Sequence, residues 1–372
     1  MIIILLLHLI VMGLAMFFSF LGVKRNKQMS TDRFNLNVGY ILSFLLLFFF
    51  LAFRVNLGRD WDNYMYLYTE NYQQDYSFSE SLEFGFLFII KLLKQFSADF
   101  QWLIIISSFL TLLFFYGAFR RCYYLLPLGI FVFFTQWGYP VVINTIRQGI
   151  AILSFMCAVS YIGESGPRAF LKYLGFILIG SLFHYTILLF LPVILIGKMR
   201  PGLLQLLLVP IIAYGLSFFL IIPLFNDALT LFSKYSYSVD SYSSDRTTFG
   251  LGALLVLIIR LLPLTIYNYV KDNYPVYVKY YILYYLGIGV YYAFFKFLMI
   301  VRVTFYLQFL ELILFSLLIY ISFSKIKYYR LYGLISIFLT FVYYFYTFGD
   351  FLEDQLVSND FSLLFMDYYF KK

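Results

Sequence analysis

Apolar residues in this chain come in long runs separated by short polar joints. Measured against the roughly 20 apolar residues that cross a bilayer core, the runs fall near 2–22, 38–53, 101–119, 126–143, 148–163, 169–183, 185–197, 203–223, 249–270, 278–300, 303–323 and 331–348. They predict an all-α polytopic membrane protein with about 12 transmembrane helices. One division stays open on pattern alone. Residues 169–183 and 185–197 read equally as two short spans or one long helix, and the choice inverts the topology of everything after it.

Charge decides between them. With the pair split, the loops on one side carry Lys24, Arg25, Lys27, Arg33, Arg120, Arg121, Arg168, Lys172, Lys198, Arg200, Lys271, Lys279, Lys325, Lys327 and Arg330, against Asp32, Glu164 and Asp272. Asp60, Asp62, Glu83, Asp227, Asp245, Asp350 and Glu353 fall on the other side. Basic loops stay in the cytoplasm, so the split puts both termini outside. A single long helix would carry Lys325, Lys327 and Arg330 outward and break the pattern. Composition agrees with the membrane reading. Hydrophobic residues make up 63% and charged residues 12%, whereas soluble domains hold about 45–50% and about 25%. The positive charges that follow the first run, at Lys24, Arg25 and Lys27, mark a retained span rather than a cleaved signal peptide. Cys122 and Cys157 stand alone on predicted spans, which points away from a disulfide framework or a thiolate metal site.

The chain reads as a single integral membrane domain over residues 1–372, with outer segments at 54–100 and 225–248 and an outer tail at 349–372. Inside the first segment, the apolar stretch 84–96 carries Lys91 and Lys94. That predicts a helix lying at the interface or dipping briefly into it.

Five arginines near the predicted outer surface, Arg54, Arg59, Arg147, Arg246 and Arg302, are not explained by the charge rule. A guanidinium presents a planar fork of donors and stays charged, so several together would make a cradle for a diphosphate. The competing reading has each arginine snorkel to headgroups or pair locally, Arg59 with Asp62 for example. His184 sits at the outer turn between two apolar helices, in SLFHYTILLF. Imidazole titrates near neutrality and suits a general base; a histidine bonded into a helix turn is the plainer alternative. The run Asn144-Thr145-Ile146-Arg147-Gln148-Gly149 opens a helix, and helix starts favour anions. Arg260, Lys296 and Glu311 lie within spans, where ionisable groups pair or line cavities. His8 is assigned no role. Asp60-Trp61-Asp62 resembles the paired acids that hold a metal in some lipid-linked glycosyltransferases, but this pair alone assigns no metal. The sequence holds no Walker loop, HExxH, GxSxG or Gly-rich dinucleotide fingerprint. An ATP-driven pump and a nucleotide-sugar enzyme are therefore disfavoured, and neither a cofactor nor a nucleic-acid partner is called for.

These motifs together resemble a known family. Phe53-Arg54-Val55, Gly58-Arg59-Asp60 and Asp62-Asn63-Tyr64 are similar to the arginine–glycine–aspartate–tyrosine signature after the second span of EpsG-type polysaccharide polymerases. Those belong with the Wzy class, which polymerises O-antigen and capsule repeat units. Glu83-Phe84-Gly85-Phe86 resembles the family's Glu-x-Gly-Phe element, with Phe84 where a proline is common. Arg147-Gln148 with Ala151 resembles its Arg-Gln-x-x-Ala helix start. Phe183-His184 resembles its Phe-His turn, with Tyr185 and Thr186 in place of small residues, and Arg302 with Tyr306 its late Arg…Tyr pair.

The resemblance implies a helical architecture related to the lipid-glycosyltransferase C group (GT-C-like). It implies glycosyl transfer between undecaprenyl-diphosphate-linked oligosaccharides at the periplasmic face of a bacterial inner membrane, with a chain-length regulator as a further partner. On that reading Arg147 and Arg302 hold the diphosphate, assisted by Arg54, Arg59 and Arg246. Asp60 or Asp62 is the preferred base, with His184 next and Glu83 a further candidate. Asn63, Tyr64, Asn144, Gln148 and Tyr306 face sugar. Two rivals stand beside it: a lipid-linked oligosaccharide flippase, which needs charges along a central cavity, and a membrane acyltransferase, which needs polar residues on the inner side.

Overall fold

The computed structural model describes residues 2–28, 36–58, 60–69, 82–136, 138–219, 251–294, 298–324, 329–356 and 362–363. Arg59, Lys296 and the outer segment 225–248 with Arg246 lie outside them. The chain is almost wholly helical. The exception is a two-residue antiparallel pairing of Arg54–Val55 with Ser362–Leu363, which brings the chain's end beside the loop that leaves the second helix.

Two compact units are present: Met1–Tyr161 with Gly166–Pro192 and Phe338–Lys372, and Ile162–Ser165 with Val193–Ile337. In the first, α1 (Ile2–Gln28) and α2 (Val38–Ala52) run against each other. A Cβ on Gly39 would lie 2.5 Å from the Gly22 nitrogen, so bare glycine lets the backbones touch, as close helix pairs in lipid require. Asn37 caps α2 through the Tyr40 amide and donates to the Gly22 carbonyl at 3.0 Å. Polar side chains staple the next layers: Ser43 donates to the Ala15 carbonyl at 2.8 Å, and Tyr116 to Ser43 at 2.7 Å.

Within the outer segment, α3 (Trp61–Thr69) and α4 (Phe84–Gln95) are short helices, followed by α5 (Phe100–Phe119). Trp61, Tyr64, Leu67 and Tyr68 form the buried stripe of α3, the spacing of one helical face. From sequence, Tyr64 is assigned to sugar and no helix is predicted here. In α4, Phe86, Ile90 and Leu93 are buried while Phe84 and Phe88 are exposed. It is a one-sided helix too short to span, as expected.

The predicted span 126–143 is broken. It divides into α6 (Leu126–Thr135) and α7 (Gly138–Asn144), with a 67° bend between the two arms. Pro140 has no N–H to continue the helical ladder to Gln136, which breaks the run here. A second break at Thr145 starts α8 (Ile146–Val159), and α9 (Pro167–Ser181) follows. The 169–197 stretch is indeed divided, since α9 ends at Ser181 and a 3-10 helix begins at Tyr185. Helix α8 is the core of this unit. Cys157 reaches the Phe114 carbonyl at 3.2 Å, and Ser154 donates to Phe176 at 2.7 Å.

In the second unit, helix Leu203–Phe219 packs on Val278–Ala293, where a Cβ on Gly289 would meet Val209 at 2.7 Å. Arg260 donates to Gln308 at 2.8 Å, and Gln308 to Thr304 at 2.6 Å. Glu311 accepts from Tyr284 at 3.5 Å. Among the described residues, Leu5–Lys24, Phe100–Phe119 and Ile300–Ser324 are long and apolar enough to cross a membrane, and the bent pair adds a fourth if counted as one span. The other apolar helices are shorter than the sequence runs suggested. The last helix, Arg330–Leu356, continues past the apolar run that ends at 348.

Candidate functional site

The site grows from one glutamate. Glu83 occupies the N-cap position of α4, yet its side chain makes no capping bond. Its carboxylate is turned inward, is only 4% exposed, and is shared by two partners. Oε2 accepts from the Arg147 guanidinium, and Oε1 lies 2.7 Å from His184 Nδ1. The partners come from 64 and 101 residues away along the chain. Burial pushes the Glu83 carboxyl up, but the His184 bond and the Arg147 charge outweigh it and hold the group below its ordinary range.

Arg147 stands in the first turn of α8 and is the one residue of that helix not buried. Two contacts fix it besides Glu83's hold. It donates to the Tyr64 hydroxyl, and its guanidinium carbon lies 5.9 Å from the centre of the Phe86 ring; Tyr64 in turn meets that ring edge-on at 5.7 Å. Arg147 Nε is buried with no hydrogen-bond partner among the described residues. The Tyr64 hydroxyl is pushed up by burial, with the Arg147 charge acting in the opposite direction.

Three backbone approaches assemble these side chains, and each needs glycine. Gly85 donates its N–H to the Leu182 carbonyl at 2.8 Å, and a Cβ there would meet Leu182 at 2.8 Å. This docks the start of α4 on the turn that carries His184, whose own N–H bonds back to Gly180 at 3.0 Å. Gly58, at φ +118°, turns the loop after α2 against Ile143 and Asn144; a side chain is disfavoured in that region of backbone space. Gly149 lets α8 lie against Val142.

The structure sorts the sequence-derived candidates. Glu83, Arg147, His184 and Tyr64 are brought together. Asp60 is half-buried near Tyr64, while Asp62 and Asn63 lie on the exposed face of α3. Asn144 is half-buried at the Gly58 turn, and Gln148 is buried beside Arg147 in sequence. Arg54 departs from expectation. It is 3% exposed and turned inward, donating to the Leu51 carbonyl at 2.7 Å and to Ser108 at 3.2 Å. Its donors brace the loop instead of facing the surface. Arg302 and Tyr306 belong to the second unit, Arg302 exposed and Tyr306 fully buried. Arg59 and Arg246 fall outside the described residues. The sequence offers Glu83 only as a candidate base; the one local signal of its double pairing is Gly85, two residues on, which marks close packing.

The arrangement offers a fixed guanidinium, an imidazole with one nitrogen committed, and a phenol, all at the end of apolar helices. No curated protein matches the chain, and no solved structure does. A family model does match, over residues 37–359, and it takes in every residue of this cluster: the chain belongs to the EpsG family and is a membrane protein of the polysaccharide-polymerase kind.

Proposed function

We propose that this chain lengthens polysaccharide by joining oligosaccharide repeats carried on undecaprenyl diphosphate, in O-antigen, capsule or exopolysaccharide synthesis. It works in a bacterial inner membrane, through about 12 spans of GT-C-like arrangement, with the site facing the periplasm. The observation that carries this reading is the Arg147–Glu83–His184 cluster in a chain of the EpsG family. The growing chain leaves its lipid diphosphate and passes to a hydroxyl of the next lipid-linked unit. The departing diphosphate gathers negative charge, which preorganised guanidinium donors stabilise in a poorly hydrated site. Arg147 fills that role. Asp60, Asp62 and His184 are the groups from which the base is drawn. Asn63, Tyr64, Asn144 and Gln148 contact sugar, and a chain-length regulator docks as a separate protein.

Arg260, Lys296 and Glu311 are the groups on which a flippase reading would rest; Arg260 and Glu311 are bonded within the second unit, and Lys296 lies outside the described residues. The two readings separate in cells. Loss of a polymerase leaves outward-facing lipid bearing single repeats, while loss of a flippase leaves precursor in the cytoplasm. Arg147→Ala is expected to give single-repeat product with no long chains. Normal chain length in that variant would remove Arg147 from the mechanism.

A further inference from the structure

Resting on the polymerase reading, we infer that Glu83 is a positioning residue and that His184 Nε2 is the atom that takes the proton from the acceptor hydroxyl. A carboxylate can only accept, so the Nδ1 atom 2.7 Å from Glu83 Oε1 carries the ring proton. That leaves Nε2 with its lone pair outward. The His184 side chain is 26% exposed, and Nε2 has no hydrogen-bond partner among the described residues. The carboxylate is itself fixed from behind by Arg147 and by the Gly85–Leu182 backbone bond, so the ring cannot swing without breaking a packed joint. Asp62, by contrast, lies exposed on α3 with no hydrogen bond or ion pair among the described residues.

Charge follows the same logic. Arg147 and Glu83 cancel, so the trio is neutral while the ring is neutral. As the acceptor oxygen bonds to the anomeric carbon, its proton passes to Nε2. The bond from that carbon to the diphosphate oxygen breaks, and its electron pair leaves with the diphosphate. The ring becomes a cation as the leaving group gains negative charge, and Glu83 stabilises that cation.

The test uses the full chain in lipid vesicles, with undecaprenyl diphosphate bearing the host's own repeat, extracted from cells that lack this chain. His184→Asn keeps an amide donor in the place of Nδ1 and removes Nε2. Its kcat is expected to fall by about 10²–10⁴-fold, the range of general acid–base catalysis, with KM changed less than about threefold. Glu83→Gln lowers kcat in the wild-type background but adds little to His184→Asn, because residues acting as one unit are not additive. Wild-type protein gives a second readout that needs no folded variant. The chain has two histidines and His8 is 1% exposed, so carbethoxylation reports on His184 and should abolish elongation unless donor lipid protects it. Full activity in His184→Asn, or in carbethoxylated protein, overturns the inference while leaving the polymerase reading intact. An equal loss from Glu83→Gln in both backgrounds shows that Glu83 acts through Arg147 and not the ring. A wild-type protein that makes no ladder removes both readings together.

Discussion

Gly85→Ala is the most revealing perturbation of this site, because it touches no functional group. Gly85 packs with its Cα against the backbone of Leu182, two residues before His184. An added Cβ would sit 2.8 Å from both the Leu182 Cβ and its carbonyl oxygen, and ordinary contact begins at 3.4 Å, so the two segments must part by about 0.6 Å. Neither obstacle is a flexible side-chain end. Overpacking of this kind costs about 1–3 kcal/mol. A 1 Å displacement at a catalytic centre costs on the order of 10²-fold in rate, so about 0.6 Å predicts roughly a 10-fold loss of elongation. The control is Gly175→Ala on α9, where a Cβ meets nothing within 4 Å and helix propensity gains about 0.5–1 kcal/mol. Both variants are purified, checked for monodispersity, and assayed by gel ladder with lipid-linked repeats. If Gly85→Ala elongates as fast as Gly175→Ala, the α4–turn joint does not set the site's geometry, and the reasoning fails.

Arg147→Lys is expected to lower elongation about 10²–10³-fold despite keeping the charge, since an ammonium cannot reproduce the fork held between Glu83 and Tyr64; single-turnover rates check it. Asp62→Asn, on an exposed face, is expected to retain at least about a third of wild-type activity, and a larger loss restores Asp62 as a base. Because the Glu83 carboxyl sits below its ordinary 4.5, its stabilisation is complete above that value and disappears as pH falls through the lowered one. The thermal-unfolding gap between wild type and Glu83→Gln should therefore be flat from neutral pH down to that ordinary value and close only in more acid solution; a gap that persists unchanged in strong acid contradicts the pairing. Asn63→Cys should react with an impermeant maleimide added outside intact cells, because Cys122 and Cys157 are buried, and reaction only after permeabilisation would invert the topology.

Much of the architecture was written in runs and charges. The division at His184 followed from where Lys325, Lys327 and Arg330 must lie, and α9 does end at Ser181. The short helix over 84–95 followed from an apolar stretch too brief to span. What escaped was set by tertiary contact. The stripe of Trp61, Tyr64, Leu67 and Tyr68 is helical in spacing, but aromatic residues are so abundant here that the pattern did not stand out. Arg54 looked like a surface cation, yet Ser108 and the Leu51 carbonyl give its donors an inward target that no local sequence reveals. Glu83 could be named from the Glu-x-Gly-Phe resemblance, while its partners 64 and 101 residues away could not. The glycines were the overlooked clue: Gly58 and Gly85 mark places where backbone meets backbone.

In the proposed reaction this chain alone transfers a glycan from one lipid diphosphate to another, with Arg147 holding the leaving group. Purified protein in vesicles, given lipid-linked repeats and neither nucleotide sugar nor ATP, should produce a ladder of lengthening chains and release free lipid diphosphate in step with each added unit. Arg147→Ala should yield neither. A ladder that forms equally with Arg147→Ala would remove Arg147 from the reaction, and one that appears only when nucleotide sugar is supplied would rule out transfer between lipid diphosphates.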